Sequence, residues 1–122
     1  MSLFVISYCP KSKHYKLYLP HDGEVYSWYM PKEPAVEVNI RRMAHVLNRF
    51  AFTEGTSLAE QIVVHQGDDP GETWDEGEMQ IDSWKDAKMV LHLSGKRLVG
   101  KYVMLNVGSR YGEGSYLFFR VE

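Results

Sequence analysis

Gly95-Lys-Arg-Leu-Val-Gly-Lys-Tyr-Val-Met-Leu-Asn-Val107 opens at a Ser94-Gly95 turn and then alternates. Val103, Leu105 and Val107 fall on one side, Tyr102, Met104 and Asn106 on the other. A period of two marks a strand with one buried face. The segment before it repeats the pattern, with Met89, Leu91 and Leu93 set against Val90 and His92. A third follows, with Leu117, Phe119 and Val121 against Tyr116, Phe118 and Arg120. Gly108-Ser-Arg-Tyr-Gly-Glu-Gly114 between the last two suits a wide hairpin. Three adjacent antiparallel strands leave an apolar sheet face that the rest of the chain must cover, so the expected class is mostly β within an α+β fold.

Working outward, Leu3–Tyr8 is a short apolar run stopped by Cys9-Pro10 and reads as a strand. His14–Leu19 and Glu24–Met30 alternate around a Pro20-His-Asp-Gly23 turn and predict a hairpin. Pro31 and Pro34 end it, since neither can donate to a ladder. Val36, Ile40, Met43, Leu47 and Phe50 then recur at threes and fours, which predicts a helix over Val38–Arg49. The competing strand through Ala44, Val46, Asn48 and Phe50 leaves Arg42 awkwardly placed. Ser57-Leu-Ala-Glu60 has capping-box spacing for one helical turn, whereas Ile62-Val63-Val64 prefers a strand because branched side chains are stiff. Gln66–Gly71 reads as a loop, Glu72–Ile81 as a weak strand with a bulge at Gly77, and Ser83–Lys88 as a polar connection.

At 122 residues, without repeats or a linker, the chain is expected to form one domain over residues 1–122. It has 44% hydrophobic and 25% charged residues, no long apolar run and no signal-peptide pattern. Its lone cysteine, Cys9, allows no internal disulfide. Those features predict a cytoplasmic protein without membrane contact. The net charge of −2 hides an asymmetry: residues 1–50 hold seven Lys/Arg and four Asp/Glu, the remainder seven and twelve. A nucleic-acid partner is therefore expected on the N-terminal half, at Lys11, Lys13, Lys16, Arg41, Arg42 and Arg49. Lys11, Lys13 and Lys16 interleave with Tyr8, Tyr15 and Tyr18, a composition able to stack a nucleic-acid end, although a solvated lysine face over tyrosine is the plainer reading.

Several segments resemble one family. Ser27-Trp28-Tyr29-Met30-Pro31-Lys32-Glu33-Pro34, closing the hairpin that starts at His14-Tyr15, is similar to a segment of the 3′-phosphoesterase domain of DNA ligase D. Trp74-Asp75-Glu76-Gly77 resembles that family's Trp-Asp-x-Gly, and Gly95–Lys101 its Gly-x-Arg-Leu-x-Gly-Lys/Arg. The resemblance implies a small antiparallel β-barrel with one flanking helix, removal of 3′-terminal phosphates and ribonucleotides from DNA ends, and a divalent metal such as manganese. Trp28 and Trp74 are expected in the core rather than as stacking platforms.

The resemblance also shows what is missing. Family members carry an N-terminal His and then His-x-Asp-x-Arg, whose alternation converges ligand, acid and phosphate clamp on one face. Here that segment is His14-Tyr15-Lys16-Leu17-Tyr18, so His14 alone is retained as a catalytic position. Tyr8 or Cys9 stands at the first ligand position, the latter a soft donor suited to zinc. The second metal segment, an Asp-His-Pro, should fall near Asn48–Glu54, where there is no His. A lysine where the cation belongs costs roughly 1–4 kcal/mol at short range. Cys9, His14, His45 and His65 are the candidates for a surviving manganese or zinc site, against packed or surface histidines and a buried thiol. His92 reads as a packed or half-exposed histidine, and the acids Asp68, Asp69, Glu72, Asp75, Glu76, Glu78 and Asp82 as a solvated face.

The favoured expectation is thus a relative without the family's activity, holding no cofactor, that binds DNA ends or DNA-repair proteins. An active phosphoesterase with relocated ligands and a protein-interaction barrel stay open beside it.

Overall fold

The computed structural model describes residues 2–53, 55, 57–65 and 71–122, with His65 described by its backbone alone. Its elements are β1 (Ser2–Cys9), β2 (His14–His21), β3 (Glu24–Met30), β4 (Arg42–Ala51), α1 (Leu58–His65), β5 (Glu72–Lys85), β6 (Lys88–Gly95), β7 (Val99–Asn106), α2 (Gly108–Tyr111) and β8 (Ser115–Arg120). The strands close into an antiparallel barrel in the order β1-β2-β3-β4-β8-β7-β6-β5. β4 pairs with β8 over Arg42–His45, and the Val46 N–H donates to the Gly114 carbonyl just before β8; the residues after that pair with β3. No helix among the described residues is long and apolar enough to cross a membrane.

The alternation decides which side chains enter the barrel. Phe4 and Ile6, Leu17 and Leu19, Trp28 and Met30, Leu91 and Leu93, Tyr102 and Met104, and Phe118 all point inward and are buried. Each such side chain contributes about 1.5–3 kcal/mol through its burial. Trp28 is core, as expected, while Trp74 is half-buried and packs against that core. A second apolar layer forms outside the barrel, where Val5, Tyr18 and Val25 meet Leu58 and Ile62 of α1.

Three local expectations are corrected. Val38–Arg49 is not a helix; Arg42–Ala51 is strand β4. The spacing misled because β4 carries a bulge: Tyr26 pairs with Arg49 but Trp28 with Val46, an extra residue that the Ser27 hydroxyl covers by donating to the Asn48 carbonyl. A bulge breaks period two, and the remaining apolar positions then imitate threes and fours. Arg42 is also well placed, since it starts the strand and its Nε donates to the Glu33 carbonyl at 2.9 Å.

Ile62-Val63-Val64 is helical rather than extended. Leu58 and Ile62, four residues apart, bury against β1–β3, while Val63 and Val64 stay exposed. The Ser57 hydroxyl caps the helix by accepting the Glu60 N–H at 3.1 Å, as the spacing predicted, and the helix runs beyond one turn. The flanking helix therefore exists, but lies at Leu58–His65. Gly77, finally, is no bulge: it pairs directly with Gly95 and with Phe4, β5 extends to Lys85, and its register shifts fall at Trp74 against β1 and between Ile81 and Ser83 against β6. The hairpin expected at Gly108–Gly114 is present and contains α2.

Candidate nucleic-acid interface

One end of the barrel, called upper here, is where β1 leaves, β2 and β4 begin and β3 ends. Antiparallel pairing also brings the β6–β7 turn to this end. Lys11, Lys13, Lys32, Arg41, Arg42, Lys96 and Arg97 therefore emerge together, although they are scattered in sequence. Lys32, Arg41 and Arg42 line a shallow cavity of about 190 Å³ with Pro31 and Met43. Arg41 also stacks over Phe119, 4.9 Å from its ring centre. Arg49 is not part of this group. It lies at the lower end, where its Nε is 3.4 Å from the Glu24 carboxylate and its guanidinium covers Tyr26.

On the outer face below these cations, β2, β3 and β4 present His14, Tyr29 and His45 in succession. Tyr29 contacts both imidazoles, at 5.2 and 5.0 Å between ring centres. Lys16 is the ladder partner of Tyr29, and Cys9 that of His14. Cross-strand partners share a face, so Cys9 and His14 are neighbours. His45 stands beyond the Tyr29 ring. The His65 side chain lies outside the described residues, as do Asp68 and Asp69 of the acidic stretch.

The fate of the substituted positions follows from burial. Tyr18, where the family pattern has arginine, is sealed beneath α1 with Val5, Val25, Leu58 and Ile62. Burial, with Cys9 close by, raises its phenol well above the usual tyrosine value. Cys9 is also fully buried. Lys16 remains half-buried on the face itself. This face offers a sealed thiol, two imidazoles separated by the Tyr29 ring and an ammonium, which is not the hard-oxygen donor set that manganese prefers. Among the described residues no three His, Cys, Asp or Glu side chains are grouped. The face does not fit the family's metal.

The other matching segments meet one another. Asp75 is 2% exposed, and its two oxygens accept four backbone N–H groups. Oδ1 receives those of Glu76 at 2.9 Å and Lys96 at 2.8 Å. Oδ2 receives those of Arg97 at 3.2 Å and Leu98 at 2.8 Å. Arg97 in turn lies over Trp74, 4.7 Å from its ring centre. A Cβ on Gly95 would collide with the Asp75 carboxylate and the Phe4 ring, and one on Gly77 with the Ser94 carbonyl. The two segments are halves of one clasp that fixes the β6–β7 turn. Sequence reasoning put Asp75 among solvated acids; of the described members Glu72, Glu76, Glu78 and Asp82 are exposed as expected, and Asp75 is not. Asp82, on that exposed face, also pairs with His92 at 2.7 Å.

Tyr29 and Lys32 went unread as site residues. Tyr29 was accessible to reasoning, since alternation puts it on the face opposite Trp28 and Met30. Lys32 follows a proline in irregular chain, where no periodicity places it.

A comparison with curated proteins gives no match. A family model described as the DNA Ligase D 3'-phosphoesterase domain matches residues 8–106. That span starts at the first strand's end and includes the His14 face, the upper-end cations and both halves of the Asp75 clasp. The chain belongs to the DNA ligase D 3'-phosphoesterase domain family.

Proposed function

We propose that this protein binds DNA ends through the upper end of the barrel and does not carry out metal-dependent 3′-phosphoester hydrolysis. The observation that carries the reading is the state of the His14 face: Tyr18 is committed to packing under α1 and an ammonium, Lys16, stands mid-face. Hydrolysis of this kind needs a cation to activate water and guanidinium or ammonium groups to hold phosphate oxygens. Lys11, Lys13, Lys32, Arg41 and Arg42 offer groups suited to the second requirement; for the first, no three candidate ligands are grouped among the described residues. Binding without turnover suits that balance. Repair partners are the setting in which such binding is useful.

Two measurements test this. A 3′-phosphorylated primer-template incubated with manganese should release no phosphate above a buffer blank. The same duplex, end-labelled, should be retarded in a gel at low salt, with affinity falling steeply as salt rises. Phosphate release that His14→Ala abolishes would overturn the loss of hydrolysis, and absence of a retarded band would remove the DNA role and leave a protein-interaction barrel.

The ladder pairing of Cys9 with His14 favours one second reading, a zinc-dependent site with relocated ligands. It requires stoichiometric zinc in the purified protein, lost in His14→Ala; a metal-free elemental analysis with unchanged melting temperature on adding zinc rejects it.

A further inference from the structure

The upper end carries a second feature that the cations do not explain. Tyr8 and Tyr15 lie 5.0 Å apart between ring centres, and Tyr15 meets Trp74 edge-on at 5.6 Å. The Arg97 guanidinium closes the row over Trp74. These rings come from the ends of β1, β2 and β5, and all three are half-buried rather than sealed. Pro34 and Ala35, by contrast, cover the β7–β8 side of the same end, where the Ala35 carbonyl accepts the Tyr102 hydroxyl at 3.0 Å. The ladder side keeps its rings in contact with solvent, next to the β1–β2 turn that holds Lys11 and Lys13. Glu33 lies near Tyr15, with Arg97 opposing it in part, and Glu72 is the ladder partner of Tyr8.

We infer that the Tyr8–Tyr15–Trp74 ladder stacks an unpaired base at a DNA end while Lys11 and Lys13 hold the adjoining phosphates. The inference rests on the DNA-end reading above and adds the form of end preferred: a short single-stranded overhang over a blunt terminus. Aromatic rings beside cations suit single strands because every base offers a π face, so no sequence need be specified. An arginine stacked on the row extends it as a planar cation. At a blunt end the terminal base is already paired and stacked, and pulling it free is costly.

The test is fluorescence anisotropy at low salt with one duplex in three forms: blunt, with a four-thymidine 3′ overhang, and with that overhang made abasic. The thymidine overhang should bind roughly tenfold more tightly than the blunt end, and the abasic overhang within about threefold of it. Tyr15→Leu, which keeps apolar bulk and removes the ring, should cut the thymidine-to-blunt ratio to about twofold. Lys11→Gln with Lys13→Gln should weaken all three forms. Equal binding of the three by the unmodified protein overturns the ladder and leaves the DNA-end reading standing. An abasic overhang as tight as the thymidine one also overturns it, because phosphates alone would then account for the gain. Failure of all three to bind removes the DNA-end reading and the ladder with it.

Discussion

Asp75 concentrates four N–H donors, three from the β6–β7 turn and one from its own strand, onto one buried carboxylate, and the consequence of altering it can be worked out atom by atom. Asp75→Asn keeps the shape but replaces one accepting oxygen with an amide that faces N–H groups. The Leu98 N–H is buried and cannot turn to water for compensation. We expect a loss of about 2–4 kcal/mol in urea unfolding, since charge-assisted bonds and unsatisfied buried donors each cost more than an ordinary hydrogen bond. A loss below about 0.5 kcal/mol would mean that the clasp does not hold the turn. The sequence displays Asp75 among six other acids, and nothing in its neighbours separates it from them. What distinguishes it is the approach of Gly95, twenty residues along the chain, and contact at that range leaves no periodic trace. The resemblance of each segment to a family pattern was legible; that the segments bind each other was not. Tyr18 is similar: its replacement of an expected arginine was visible, but its reason, the helix that covers it, was not.

At the scale of elements, the strands of unbroken alternation were readable, whereas β4 and the helix α1 were not. β6, β7 and β8 follow period two throughout, so the sheet they form could be predicted from residue order alone. β4 was misread because one inserted residue changes the face of everything after it. α1 was misread because intrinsic preference for strand at Ile62-Val63-Val64 was outweighed by tertiary burial of Leu58 and Ile62. That explanation separates neighbouring residues of nearly equal chemistry. Ile62→Ala should lower stability by about 2–4 kcal/mol, because it empties a buried position beneath α1. Val64→Ala, at 78% exposure, should stay within about 0.5 kcal/mol of the unmodified protein. Equilibrium unfolding of the two variants side by side is sufficient. Comparable losses would contradict a helix that turns Ile62 inward and Val64 outward.

For the whole molecule, the two apolar layers, one inside the barrel and one under α1, each contain a tyrosine whose ionisation burial opposes. Burial raises Tyr18 in the outer layer, and pushes Tyr102 inside the barrel up to about 12, with Arg120 opposing and Asp75 and Glu37 adding to the rise. An unfolded tyrosine ionises near 10. Below that value both states keep the phenol protonated, and these groups give stability no pH dependence. Above it the unfolded chain releases protons that the folded chain retains, so stability falls with rising pH until the folded values are reached. The full contribution is therefore present below about pH 10 and is lost progressively through 12 and beyond. Absorbance near 295 nm against pH, recorded with circular dichroism, should show some tyrosines ionising only as the barrel unfolds. Tyr18→Phe removes one of the two hydroxyls and should make the alkaline loss shallower while leaving stability near neutrality little changed. If all eight tyrosines titrate around pH 10 with the dichroism intact, neither layer excludes water as the packing requires, and the sealing of Tyr18 on which the proposed absence of hydrolysis rests goes with it.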